Sequence, residues 1–222
     1  MKSFIFSSSC SVYGDVSTLP VTEDTPMGEA LSPYAYTKQV GERLLSDVFS
    51  GPGLSSISLR YFNPAGAHPS CELGESPISR ALYLVPVITE FAAGKRNSLV
   101  INGTDYDTRD GTCVRDFIHV VDLAKAHVLA LKFIEAANRD VTEVINLGLG
   151  NGVTVLEAIN TFQEISTMKL DYKTGPRREG DVVSIYADYS KAKELLGWEP
   201  VFGIRDIMST AWAWEQKRSS GY

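Results

Sequence analysis

Short apolar runs alternate with long amphipathic stretches along this chain. Phe4-Ile5-Phe6 followed by Ser7-Ser8-Ser9 predicts a buried strand that ends in a polar loop. Ser32-Pro33 opens a helix, because serine can cap free N–H groups and proline suits the first helical position. That helix runs to about Val48 and is stopped by Gly51-Pro52-Gly53. Residues 56–62 read as a second strand and 63–77 as loop. Residues 81–93 are apolar at helical spacing, with Pro86 bending that helix or marking its start. A short strand follows at 98–102, a strongly amphipathic helix at 120–136 and a strand at 144–147. The remainder reads as helix 155–165, strands 169–172 and 183–187, and helices 191–196 and 203–214. Strands alternating with long helices predict α/β structure with a parallel sheet.

Composition narrows the class. Of 222 residues, 44% are hydrophobic and 22% charged, which excludes a disordered tail, a collagen-like repeat and a disulfide scaffold. The net charge of −6 comes without a basic block, so nucleic acid is not the expected partner. Cys10, Cys71 and Cys113 are scattered, which fits a reducing compartment and offers no metal framework. No apolar run reaches the roughly 20 residues that span a bilayer. The start lacks the apolar core of about 7–15 residues that a secretory signal needs. A cytoplasmic protein that meets neither membrane nor nucleic acid is the expectation.

Three motifs could carry chemistry. Gly148-Leu149-Gly150-Asn151-Gly152 lies between a strand and a helix, but Val153 stands where a dinucleotide fingerprint needs its third glycine. It therefore reads as a glycine-rich turn. Tyr34 and Lys38 are four apart on one helical face, after a strand whose carboxyl end carries serine hydroxyls. A phenol beside an ammonium can exchange protons with a ligand. Tyr189 and Lys193 share that spacing and read as an exposed helix pair. Arg115, Arg177 and Arg178 sit on two polar loops and could clamp a diphosphate, or simply pair with Asp116 and Glu179. His68, His119 and His127 show no ligand spacing, and the three tryptophans read as packing residues.

Taken together, these segments resemble the extended short-chain dehydrogenase/reductases, and most closely the UDP-glucose 4-epimerase family. The matching runs are Phe6-Ser7-Ser8-Ser9-Cys10-Ser11-Val12-Tyr13-Gly14, Ser32-Pro33-Tyr34-Ala35-Tyr36-Thr37-Lys38 and Arg60-Tyr61-Phe62-Asn63-Pro64-Ala65-Gly66. Asp110-Gly111-Thr112-Cys113-Val114-Arg115-Asp116-Phe117-Ile118-His119 and Pro176-Arg177-Arg178-Glu179-Gly180-Asp181 complete the set. The resemblance implies a partial Rossmann-like, doubly wound parallel sheet plus a smaller C-terminal α/β substrate-binding domain. Residues 1–66 would belong to the NAD-binding domain and 67–222 mostly to the UDP-sugar-binding domain, with segments around 116–147 returning to the first.

The same resemblance implies roles. Tyr34 would be the catalytic acid/base, assisted by Ser9, while Lys38 would bind the nicotinamide ribose and lower the phenol's pKa. Phe62, with Ser9, Tyr34 and Lys38, would contact NAD. Ser9, Tyr34, Asn63, Val100, Ile101, Asn102, Arg115, Arg178, Asp181 and Ile185 would hold the UDP-sugar. The implied reaction interconverts UDP-galactose and UDP-glucose through a 4-keto sugar, a step of galactose metabolism. Related dehydratases carry Asp-Glu after the hydroxyl residue; Cys10-Ser11 stand there in this chain. Leu82-Tyr83 replace an asparagine pair of the family, Asn102 replaces an aromatic residue, and Ile185 is expected to relax selection toward N-acetylated sugars. Dimerisation beside the Tyr34 helix, through Leu44, Leu45 and Val48, would be usual for the family. A family member would also carry about a hundred residues ahead of Met1, with the glycine-rich phosphate loop and the first strands. The expectation is therefore a C-terminal two-thirds fragment with little activity alone. Its alternatives are an inactive remnant that binds UDP-sugar or a partner chain, and a 4-epimerase for uronate or pentose nucleotides.

Overall fold

A computed structural model describes residues 2–219; Met1, where the expected upstream segment would join, and residues 220–222 lie outside the described residues. The chain opens on β1 (Ser3–Ser9), a 3-10 turn (Cys10–Tyr13) and α1 (Pro33–Val48), followed by β2 (Ser55–Tyr61) and β3 (Asn63–Ala65). Next come α2 (Leu84–Ala92), β4 (Leu99–Asn102), β5 (Val114–Arg115), β6 (Phe117–His119) and α3 (Val120–Ala136). The last part holds β7 (Thr142–Leu147), β8 (Val153–Thr154), α4 (Val155–Ser166), β9 (Tyr172–Gly175), β10 (Ser184–Ile185), α5 (Ser190–Leu196) and α6 (Ile204–Ser219).

β1, β2 and β7 form a parallel sheet in that order. Its two faces are built differently. On one face Ile57 and Leu59 of β2 and Ile145 and Leu147 of β7 pack on Ala126, Ala130 and Ile134 of α3 and on Trp198 beyond α5. Burying each such aliphatic side chain contributes about 1.5–3 kcal/mol, so apolar packing holds this face. The other face carries buried Ser56, Ser58 and Arg60 of β2, and there polar contacts take over, with Arg60 binding Glu42 of α1. Gly41 lets α1 come close, because a Cβ there would stand 2.5 Å from the Phe6 ring. Helices thus cover both faces of a parallel sheet, the doubly wound arrangement. Along the outside of α1, Tyr36, Val40, Leu44 and Val48 form an exposed stripe at four-residue spacing, with Leu45 half-buried beside it.

A second core lies between α2, β4, α4 and α6, built on Ile88, Ile101, Ile159, Phe162 and Met208. Three small sheets, β3–β6, β4–β9 and β10–β5–β8, link it to the first. No helix of the described residues is long and apolar enough to cross a membrane.

Helices α1 and α3 match their expected bounds, since a serine cap with proline and an unbroken apolar period are local signals. The strands differ more. β1 continues through Ser9, because β2 pairs with it up to Ser9↔Tyr61. Asn63–Ala65 is not loop but a strand on β6. The strand expected at 169–172 begins at Tyr172, where pairing with Leu99 starts, while the Leu170 N–H is bound by Gln163. Pro86 is the third residue of α2, in the first turn where its missing N–H costs nothing, so it marks the start of a helix that begins at Leu84 and not at 81. Tyr189 is not an exposed partner of Lys193; it packs edge-on to Trp198, and Lys193 pairs with Glu199.

Candidate active site

The carboxyl ends of β1 and β2, the first turn of α1 and the loops after β4 and β9 surround one cavity of about 1540 Å³. Ser9 closes β1, where its side-chain oxygen accepts from the Ser11 N–H at 3.2 Å and caps the 3-10 turn. The Ser9 hydroxyl also makes a side-chain hydrogen bond with Cys10, and as a rotor its proton can turn to a ligand. Tyr34 stands at the cavity edge, 56% exposed. Lys38 sits one turn on, its ammonium 5.2 Å from the centre of the Tyr34 ring and donating to the Ser7 carbonyl oxygen at 2.8 Å. Phe62 lies on the wall, and the Asn63 amide donates to the Asp116 carbonyl oxygen at 2.6 Å.

Val100, Asn102, Arg115, Arg178 and Asp181 line the same cavity. The Arg115 guanidinium donates to the carbonyls of Val114 and Val182 at 2.9 and 2.7 Å and pairs with Asp181 at 3.4 Å. It is held before any ligand arrives, with N–H groups still available to an anion.

Several sequence expectations move. Arg115 does not pair with Asp116; that carboxylate accepts instead from the N–H groups of Leu149, Gly150 and Ala187 at 2.7, 3.1 and 3.0 Å. It closes the Gly148–Gly152 turn from inside, and a Cβ on Gly148 would stand 2.3 Å from Asp116 Oδ2. The glycines there serve close packing. Arg177 pairs with Asp105 and lies over the Tyr106 ring, so it does not join Arg115 and Arg178 at the cavity. Ile101 is buried in the second core, because strand alternation sends Val100 and Asn102 to the cavity and Ile101 inward. Ile185 is buried with Val12, Tyr13 and Phe62 and does not line the cavity. The Lys38 ammonium also stays outside the lining, over the Tyr34 and Phe6 rings.

Sequence reasoning missed Ser11, Tyr61 and Phe117, all of which face the cavity. Ser11 Oγ is buried without a protein partner. The Tyr61 hydroxyl lies 2.8 Å from Ser7 Oγ and 2.5 Å from His127 Nε2. His127 Nδ1 faces the Leu123 carbonyl oxygen at 2.9 Å, so Nδ1 carries the proton and Nε2 accepts. Burial raises the Tyr61 phenol above its ordinary range. Only period-two alternation back from Asn63 could have flagged Tyr61. Burial likewise pushes the Cys10 thiol up to about 12, which keeps it protonated at neutral pH.

Comparison with known proteins agrees with this geometry. The family profile described as GDP-mannose 4,6 dehydratase matches residues 1–211. A UDP-glucose 4-epimerase of Bacillus subtilis is 43% identical over all of this chain, which covers 65% of that protein. One from Dictyostelium discoideum is 45% identical over all of the chain and 64% of its own length. The crystal structure of a Stenotrophomonas maltophila UDP-glucose-4-epimerase with NAD and formylated UDP-arabinopyranose superposes with a TM-score of 0.96 at 40% identity, over 100% of this chain and 66% of that one. That of the Bifidobacterium longum enzyme with NAD+ and UDP gives 0.93 at 43% identity, over 100% and 65%. The chain therefore spans about 65% of the length of the curated relatives it matches. A profile that runs from the first strand to within the last helix, on a doubly wound sheet of the same shape, leaves one assignment: the chain belongs to the GDP-mannose 4,6 dehydratase family and within it is similar to the UDP-glucose 4-epimerases.

Proposed function

We propose that this chain supplies the catalytic and nucleotide-sugar-binding part of a UDP-glucose 4-epimerase, which interconverts UDP-galactose and UDP-glucose with bound NAD. The observation that carries the reading is that one cavity brings Ser9 and Tyr34 together with Asn63, Arg115, Arg178 and Asp181. Proton-exchanging hydroxyls and anion-binding donors then face the same ligand.

The cavity fits a cofactor as well as a sugar. Its roughly 1540 Å³ exceeds the 300–1,000 Å³ usual for a single small ligand. Tyr61 and Phe62 offer aromatic surface, and the orphaned Ser11 hydroxyl offers a buried polar contact. Tyr34 and these residues would border the nicotinamide and ribose, with the Lys38 ammonium behind the Tyr34 ring; the Gly148–Gly152 turn, filled by Asp116, would not hold phosphate. NAD supplies the acceptor and donor for the hydride of the sugar C4.

The protein's own part is proton transfer and orientation. Tyr34 takes the proton of the 4-hydroxyl and returns it to the 4-keto oxygen after the sugar has turned over. Ser9, its oxygen already engaged as a cap, donates to the sugar oxygen at that position. Arg115 and Arg178 bind the diphosphate, Asn63 and Asp181 fix the nucleotide, and Val100 and Asn102 border the base. Cys10, kept protonated by burial, is no base for removing a proton from carbon, which supports epimerisation over dehydration.

The test uses the chain alone and the chain joined to the part of the Bacillus subtilis relative that the match leaves out. UDP-galactose is supplied with NAD and UDP-glucose formation is followed. Conversion by the joined protein, lost on Tyr34→Phe, supports the reading. Absence of conversion by the joined protein, folded and binding UDP, overturns it.

A further inference from the structure

The helix that carries Tyr34 and Lys38 is held to the sheet by charge more than by apolar packing. Of its 16 residues only Ala35 and Glu42 are buried. Tyr34, Lys38 and Glu42 fall four apart on one face. Lys38 donates to the Ser7 carbonyl oxygen and Glu42 accepts from the Ser8 hydroxyl, so the helix grips two successive residues of β1. Ser9 is the next residue.

Behind this grip, Ser8, Arg60 and Asn146 stand in register across β1, β2 and β7. Arg60 Nε and Nη2 donate to the two oxygens of Glu42 at 3.0 and 2.7 Å, and Nη1 donates to the Tyr13 hydroxyl at 2.9 Å. Tyr13 in turn donates to Asn146 Oδ1 at 2.6 Å. Tyr13 ends the 3-10 turn that Ser9 caps. Glu42 and Arg60 are 5% and 4% exposed, and neither reaches the cavity. The network therefore ties both catalytic candidates, by way of their own backbone elements, to the middle of the sheet.

Apolar side chains of similar volume often hold such a place as well as a buried ion pair does, because desolvation offsets the attraction. What the pair adds is direction. A two-pronged guanidinium–carboxylate contact fixes both distance and rotation. We propose that Glu42 is a positioning residue: its pair with Arg60 and its bond from Ser8 set the height and rotation of α1 over β1, and with them the placement of the Tyr34 hydroxyl relative to the Ser9 hydroxyl. The inference rests on the epimerase reading for its consequence in catalysis.

The experiment compares the joined protein described above with its E42L/R60M variant, which removes both charges and keeps the volume. Three quantities are measured: melting temperature, steady-state kinetics, and the 19F NMR resonance of 3-fluorotyrosine placed at position 34. The expected result is a folded variant with KM unchanged, kcat reduced by about 100-fold and the fluorine resonance shifted or broadened, as misplacement of about 1 Å commonly produces. A folded variant with unchanged kcat and an unmoved resonance overturns the proposal. If E42L/R60M does not fold, E42Q, which keeps one acceptor for Arg60, is read by the same measurements; an unmoved resonance with full kcat again overturns it. Absence of turnover in the unsubstituted protein would refute the epimerase reading, while the fluorine signal, which needs no turnover, still decides the positioning.

Discussion

The Lys38 ammonium donates to the Ser7 carbonyl oxygen at 2.8 Å while lying 5.2 Å from the centre of the Tyr34 ring. A single turn of α1 thus binds a phenol, a fixed cation and the carboxyl end of β1 into one unit. Ligands of open α/β sheets sit at that end of the strands.

Tyr34→Phe removes the proton carrier and little else, because the ring stands half in solvent. Loss of a general acid/base costs about 10²–10⁴ in rate. The expected outcome is a fall of that order in turnover by the joined protein, with UDP binding and melting temperature preserved. Calorimetry and a coupled assay read both sides, and an unchanged turnover number would remove Tyr34 from the reaction.

Arg115→Lys keeps the charge and loses the shape. An ammonium cannot bridge the Val114 and Val182 carbonyls while facing Asp181. A hydrogen bond to a charged group is worth about 1.5–3 kcal/mol, so UDP affinity should fall by roughly 10–150-fold. Isothermal titration with UDP checks this. Equal affinity in the variant would place the diphosphate elsewhere.

Asp116 carries a pH signature. Burial raises its carboxyl from 3.8 to about 6, against three backbone N–H bonds that favour the charged form. The folded protein then holds this proton more tightly than the unfolded chain does. The group's contribution to stability is complete below about pH 4 and is lost as pH rises through 6. The loss amounts to about 2–3 kcal/mol at 1.36 kcal/mol per pKa unit. Asp116→Asn should lower stability overall and remove this downward trend, measured as the difference between the two urea-unfolding curves from pH 4 to 7. Parallel pH dependences would contradict the assignment.

Ser32 caps α1 by accepting from the Ala35 N–H at 3.1 Å. Ser32→Ala should cost about 1 kcal/mol. For a chain of this length that lowers the melting temperature by about 2–4 °C. Differential scanning calorimetry tests it, and no shift would mean that the N-terminal half of α1 is held by other contacts, Gln39 of its second turn to the Val12 and Gly28 carbonyls foremost.

Much of this arrangement could be read from residue order alone, and the reason is range. The bounds of α1 follow from Ser32-Pro33 and those of α3 from an apolar period, signals contained within a few turns. Tyr34 and Lys38 share a face because four residues make about one helical turn. Apolar and acidic composition, too, are properties of the string. The tertiary fold alone settled the features whose partners are distant. β3 exists because Asn63 meets Phe117, and β5 because Val114 meets both Ser184 and Thr154. Asp116 turns away from its neighbour Arg115 to close a glycine turn more than 30 residues on. Glu42 finds Arg60, and Tyr13 finds Asn146 across 133 positions. Ile101 and Ile185 belong to cores and not to the cavity, a choice made by which side of each short strand meets packed helices or turns. Local periodicity specifies a face; which neighbour arrives at that face depends on how the whole chain closes on itself, and burial there selects its polar partners.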